Sequence, residues 1–193
     1  AHIAMLKGKK GANIIAGPYL YTFNRWAVSW LENQNIGAFV MPYENSRKNL
    51  LATFPPSVRS RILVPVFAYP ALFRLRFKLP PSYDFTYFTD KEGTAFKVNS
   101  TPDGSFVMPE TAFSVTDKCD ILYGDGIKRI LLDFSKTKVT KPELREVMNS
   151  VIKKIPLDGA YRFNWKEGFY SCGGFNSPKR VEEQKSQGTR TRP

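Results

Sequence analysis

The chain reads as an α/β domain built on a parallel sheet, and three observations point there. Two short apolar runs, Ile14 to Ala16 and Ala38 to Met41, flank a segment with helical spacing, which is the pattern of a βαβ unit. A further apolar run, Arg61 to Ala68, follows a second short helical segment, and Arg129 to Phe134 is another strand of the same kind. Between them, from about 83 to 115, the pattern changes to short alternating runs separated by turns, the mark of a small antiparallel insertion.

The elements follow in order. Gly17-Pro18 ends the first strand with turn chemistry. Phe23, Trp26, Ala27, Trp30 and Leu31 recur at helical spacing and predict an apolar helix face, with Thr22 as its N-cap. A short helix is expected over Ser46 to Phe54, capped by Asn45 or Ser46 and stopped by Pro55-Pro56. Pro65 cannot donate to a ladder, so its strand lies at an edge or is bulged. In the insertion, the runs Phe85 to Phe88, Thr94 to Val98 and Ser105 to Val107 are parted by turns at Lys91 to Gly93 and Pro102 to Gly104. Asp117 to Tyr123 predicts a short helix closed by Gly124-Asp-Gly126. Thr140-Lys-Pro142-Glu143 is a capping box with proline in the first turn. Behind it, Leu144, Val147, Met148, Val151, Ile152 and Ile155 form a helical stripe. These elements make one domain over residues 12–175, preceded by a basic arm (1–11) and followed by a polar, basic tail (176–193) expected to be disordered.

Composition narrows the chemistry. The 193 residues carry a net charge of +12, half of it in the arm and tail, and such a surface favours RNA or another polyanion as partner. No window is apolar enough to span a membrane. Cys119 and Cys172 are far apart, which suits a reducing cytoplasm and no disulfide framework. His2 is the only histidine and lies in the arm, so Ser-His-Asp, Cys-His and two-histidine zinc sites cannot be built. Two cysteines also exclude four-cysteine sites, and Gly124-x-Gly126 is a turn rather than a cofactor fingerprint, so no cofactor and no metal are expected.

No catalytic residue is assigned on this evidence, and binding candidates remain. Parallel strands send their carboxyl ends, and the loops after them, to one side of the sheet. Asn24 follows the first strand there, and Glu44 and Asn45 follow the second. Asp90 and Asp133 also sit near strand ends; two carboxylates can share a site as acid and base or hold a hard cation, while turn and cap roles account for them equally well. Arg74 and Arg76 alternate with Phe73, Leu75 and Phe77, so on an extended segment both face one way, as an anion clamp or as a solvated face. Tyr161 to Trp165 either stacks a ring or closes the domain.

The run Leu20-Tyr-Thr-Phe-Asn24-Arg-Trp-Ala27, the strand end Val40-Met-Pro42-Tyr-Glu44, Val66-Phe-Ala-Tyr69-Pro-Ala-Leu72, Thr89 to Gly93, Leu131 to Phe134 and Arg162 to Phe169 resemble, in that order, the collagenase-like U32 peptidase family. The resemblance spans roughly Ile14 to Tyr170. It implies a partial parallel (β/α) barrel-like sheet and the carboxyl-terminal portion of a longer protein. It also implies a peptidase or a factor in hydroxylation of RNA or quinone precursors, with catalysis completed by a missing N-terminal part. The open sheet edges of a partial barrel would pair, with that part or with a second copy as a homo-oligomer. Many members carry cysteines after the Val-Phe-Ala-Tyr strand that hold an iron–sulfur cluster in some. Here that stretch reads Phe73-Arg-Leu-Arg-Phe77, without cysteine. Anaerobic purification followed by iron assay is therefore expected to find no stoichiometric iron; iron held through Cys119 and Cys172 would refute this.

Overall fold

A computed structural model of the protein describes residues 13–80 and 95–160, with Met5 and Thr89 besides. The arm apart from Met5, the Phe85–Phe88 run, Asp90, the Lys91–Gly93 turn, Tyr161–Trp165, Cys172 and the tail lie outside the described residues.

The chain forms β1 (Ile15–Ala16), α1 (Arg25–Glu32), β2 (Ala38–Val40), α2 (Arg47–Thr53), β3 (Ile62–Ala68), β4 (Phe73–Leu75), β5 (Phe96–Thr101), β6 (Gly104–Pro109), β7 (Phe113–Ser114), α3 (Cys119–Gly124), β8 (Arg129–Asp133) and α4 (Lys141–Lys153). A mixed, mostly parallel sheet has β1, β2, β3 and β8 side by side, all parallel. β7 pairs antiparallel with the far end of β3, on the side that β2 leaves open. A second, three-stranded antiparallel sheet has the order β4-β6-β5. The α/β class holds; the described strands form an open sheet.

β3 lies in the middle of the main sheet, so of the two readings of Pro65 the bulge is realised. Its register with β8 runs Pro65 to Leu131 and then Phe67 to Leu132, leaving Val66 as the extra residue. The core collects on this strand: Ile62, Val64 and Val66 pack with Phe39, Met41, Leu50, Phe54, Phe113 and Ile127, all essentially inaccessible.

The insertion is antiparallel as expected, with different limits. Its third strand, Phe73–Leu75, precedes residue 83, while Phe113–Ser114, inside the expected range, belongs to the main sheet. Gly104 (φ 142°) is obligatory at the hairpin: a Cβ there would lie 2.0 Å from the Leu75 carbonyl oxygen.

The helices begin where caps allow. The capping box of α4 is complete, with the Thr140 hydroxyl accepting from Glu143 N–H and the Glu143 carboxylate accepting from Thr140 N–H. Ser46 caps α2. α1 is capped by Asn24, whose Oδ1 accepts from Ala27 N–H at 2.9 Å; the expected cap, Thr22, is instead buried. The buried face of α1 also differs from expectation. Leu31 points inward as expected, but its buried neighbour is Val28, while Trp26 and Trp30 are 87% and 56% exposed. Likewise only Val147 of the α4 stripe is fully buried; Val151 is half-buried, and Leu144, Met148, Ile152 and Ile155 are exposed.

Arginines fasten the layers. Arg47 forms a bidentate pair with Asp125, both contacts at 2.6 Å. Arg59 donates to the carbonyls of Leu51, Phe54 and Asp125, and Arg61 to those of Ile36 and Gly37 and to Glu32. At α4, a buried hydroxyl chain runs from Ser114 through Thr116 to Ser150, which donates to Ile155 O.

The two faces of α1 give opposite expectations. Leu31→Ala should cost about 2–5 kcal/mol, since it empties a packed site. Trp26→Ala should change stability by less than about 0.5 kcal/mol. Urea unfolding of both variants measures this, and a large loss at Trp26 would mean that its ring is covered.

Candidate functional site

Because β1, β2, β3 and β8 are parallel, the loops that follow them share one edge of the sheet. Each of the first three strands runs into a proline and a tyrosine: Pro18-Tyr19, Pro42-Tyr43 and Tyr69-Pro70. β8 ends on Asp133.

These ends meet in one polar contact. The Tyr43 hydroxyl donates to Asp133 Oδ2 at 2.6 Å, and the Ser135 N–H donates to Oδ1 at 2.8 Å. Tyr19 packs beside Tyr43, ring centroids 6.4 Å apart. Pro18, Tyr19, Tyr21, Pro42 and Tyr43 surround a shallow hollow of about 40 Å³, with Glu44 at its rim and Pro70 to Leu72 closing it. That space takes little more than a water, whose share of the liquid is about 30 Å³.

The electrostatics set what the groups can do. Burial opposes ionisation of Asp133, but the hydrogen bonds from Tyr43 and Ser135 and the nearby Lys136 outweigh it, so the carboxyl lies below its ordinary range. Burial, then the bond to Asp133 and its charge, push the Tyr43 phenol well above its ordinary value. Burial, Asp133 and Tyr21 also raise Tyr19. Neither tyrosine is therefore a base near neutral pH. Asp133 is an ionised acceptor, and the Tyr43 oxygen retains lone pairs for a ligand donor.

The expected site residues are distributed more widely than the sequence suggests. Asn24 and Glu44 do share the carboxyl edge, but Asn24 is committed to its helix cap, and Glu44 is exposed at the rim. Asn45 is buried, its Oδ1 accepting from Asn49, which also donates to the Phe23 carbonyl; it links the two loops and does not face the hollow. Arg74 lies over the Phe106 ring at 5.6 Å, in the antiparallel sheet. Arg76 follows β4 and is exposed. Asp133 alone of the candidates is bonded into the cluster. The sequence places Tyr19 and Tyr43 on these strand ends but not among the binding candidates, although the repeated Pro and Tyr after each short strand marks them.

Other chemistry finds little footing among the described residues. The thiol of buried Cys119 is pushed up to about 11 by burial and by Asp117 and Asp120, which makes it an inert structural cysteine. Among the same residues, no group of three or more His, Cys, Asp or Glu is placed to hold a metal, and no helix is long and apolar enough to cross a membrane. No family profile, curated protein or solved structure matches this chain.

The Tyr43–Asp133 bond makes a testable contribution. Tyr43→Phe should cost about 1.5–3 kcal/mol at pH 7, the range for a hydrogen bond to a charged group. A carboxyl with a lowered folded pKa gives stability that is fully present above its unfolded value and is lost as pH falls through the folded one. The gap between wild type and Tyr43→Phe should therefore shrink as pH drops below the ordinary carboxylate range. Urea unfolding at pH 7 and in acid checks it; a gap independent of pH would place the effect in packing.

Proposed function

We propose that this chain is the carboxyl-terminal part of a U32-like, collagenase-like peptidase family protein, and that it contributes a substrate-binding edge rather than the reacting groups. The single observation that carries the reading is the convergence of all four parallel strand ends on the Tyr43–Asp133 pair. In this reading the open sheet is a segment of a (β/α) barrel that further β/α units complete. The exposed Trp26 and Trp30 of α1 and the exposed Leu144, Met148 and Ile152 of α4 support it, as apolar helix faces that such units or a second copy would cover. Catalytic groups for peptide hydrolysis or for hydroxylation of RNA or quinone precursors would come from those units, in a reducing cytoplasm.

The hollow itself is too small for a ring, but the exposed Tyr19 and Tyr21 beside it can carry a prolyl or aromatic ring of a peptide laid across the strand ends. Tyrosine and proline faces offer flat apolar area, and the Tyr43 oxygen and Asp133 carboxylate accept from a backbone N–H.

A second reading, a polyanion-binding module, is favoured by a different observation. Arg74 and Lys136 both sit over the Phe106 ring, at 5.6 and 4.5 Å, on a sheet that also exposes Arg76. An aromatic ring among cations is a platform for stacked bases and phosphates of RNA.

One experiment separates the two. A proline-containing tripeptide and an oligouridylate are titrated into the protein under NMR observation, at 50 and 200 mM salt. The first reading expects tripeptide binding that Tyr19→Ala weakens at least about fivefold and Trp26→Ala leaves alone. The second expects oligouridylate binding that weakens steeply with salt and with the Arg74→Ala, Lys136→Ala double variant. Tripeptide affinity unchanged in Tyr19→Ala refutes the strand-end site.

A further inference from the structure

A larger cleft opens beyond the carboxyl ends of β3 and β8, of about 240 Å³. Its floor is aromatic. Phe67, at the end of β3, packs on Phe134 with ring centroids 5.0 Å apart and meets Tyr69 edge-on at 5.9 Å. Ala112, Val147 and Leu157 complete the apolar lining. Four carboxylates stand around it: Glu110 before β7, Glu143 and Glu146 in the first turns of α4, and Asp158 beyond its end. Among the described residues, Lys138 is the only basic side chain in the lining. In a chain of net charge +12, this is a local reversal of sign.

We propose that this cleft binds an organic ammonium ion, an alkylammonium head on a short apolar stem, by enclosing it with the Phe67, Tyr69 and Phe134 rings inside the ring of carboxylates. A cation is attracted to the face of an aromatic ring by its quadrupole, and several converging rings strip its water while replacing the lost attraction. Tyr69 already shows this affinity: the Lys97 ammonium lies 5.2 Å from its ring centroid. The carboxylates supply what the rings cannot, a net charge opposite to the ligand's. Competing ligands fit less well. An anion would meet four carboxylates. A bare metal ion would lack a tight donor set, since among the described residues no acidic group is clustered closely enough to hold one. A neutral apolar molecule would gain nothing from the charge of the carboxylates. The volume lies slightly below the ~300 Å³ at the small end of ligand pockets, which suits a small ion. The site is separate from the Tyr43–Asp133 hollow and does not rest on the reading given for it.

The test is an NMR titration of the full chain with n-butylammonium chloride at constant ionic strength. Saturable shifts are expected at Phe67, Tyr69 and Phe134, with 1-butanol, the neutral analogue, binding at least about fivefold more weakly. Tyr69→Leu keeps apolar bulk but removes the ring, and Glu146→Gln removes one exposed charge without disturbing the core. Each should weaken binding by about three- to tenfold, in line with cation–π and charge-pair energies. A parallel titration with N-acetyl-lysine amide distinguishes the source. Tighter binding of that amide identifies a lysine side chain on a partner protein, and tighter binding of butylammonium identifies a free amine. Equal affinity for butanol and butylammonium, unchanged affinity in Glu146→Gln, or no saturable shift with any probe would overturn the proposal.

Discussion

Pro65 has no N–H to give to a sheet, yet it sits in β3, the strand against which β2, β7 and β8 are all laid. The conflict is resolved by the bulge at Val66, where one β3 residue is left without a partner on β8. Its Val66 carbonyl turns to β7 and accepts the Val115 N–H at 2.8 Å. The slip also sets where β8 ends. It aligns Asp133 with Ala68, the last residue of β3, so that the carboxylate emerges at the same edge as the loops carrying Tyr43 and Tyr69. Without the extra residue, Ala68 would face Phe134 and the acidic group would be drawn back along the sheet. A missing backbone donor in the core thus determines the register on which the polar cluster depends.

A second constraint holds the edge in place. The Phe23 carbonyl, just before α1, accepts from both Asn49 Nδ2 and Thr53 Oγ1 of α2. Those residues are one helical turn apart on one face of α2, and Asn45 continues the line through its bond to Asn49. The loop after β1 is therefore tied to the helix after β2, which fixes Tyr19 against Tyr43. Two polar atoms within this knot, Thr22 Oγ1 and Asn45 Nδ2, are buried without a protein partner.

Local chemistry was legible in the sequence, and long-range packing was not. The α4 capping box, the Ser46 cap and the Pro102–Gly104 turn follow from interactions within a few residues, and all are present. On α1 the expected Leu31 is buried, but Val28 joins it inside while Trp26 and Trp30 turn outward. Side-chain bulk favoured the tryptophans, but only tertiary contacts decide which face turns inward. β4 escaped for a related reason: three residues, Phe73-Arg74-Leu75, form a strand only because β6 is there to pair with them. In the candidate site, parallel topology predicted the correct edge. It could not predict that Asn24 and Asn45 are consumed by caps and loop ties, because those partners, Ala27 and Asn49, are themselves placed by the helices.

The charge of the chain takes on a different meaning once its partners are known. Arg47, Arg59 and Arg61 carry part of the basic excess, but each is turned onto carbonyls or carboxylates of its own chain. The cations that remain over aromatic rings, Arg74, Lys97 and Lys136, belong to the small antiparallel sheet or to the loop beside it. The carboxylates gather instead around the cleft at the end of β3 and β8. Such a separation costs something, because like charges placed together repel at the ranges found within one surface patch. Interspersed charges would avoid that repulsion. The same aromatic class appears on both sides of the division, Phe106 among cations and Phe67 with Phe134 among anions. The two surfaces therefore differ in the sign of the charge set around their rings.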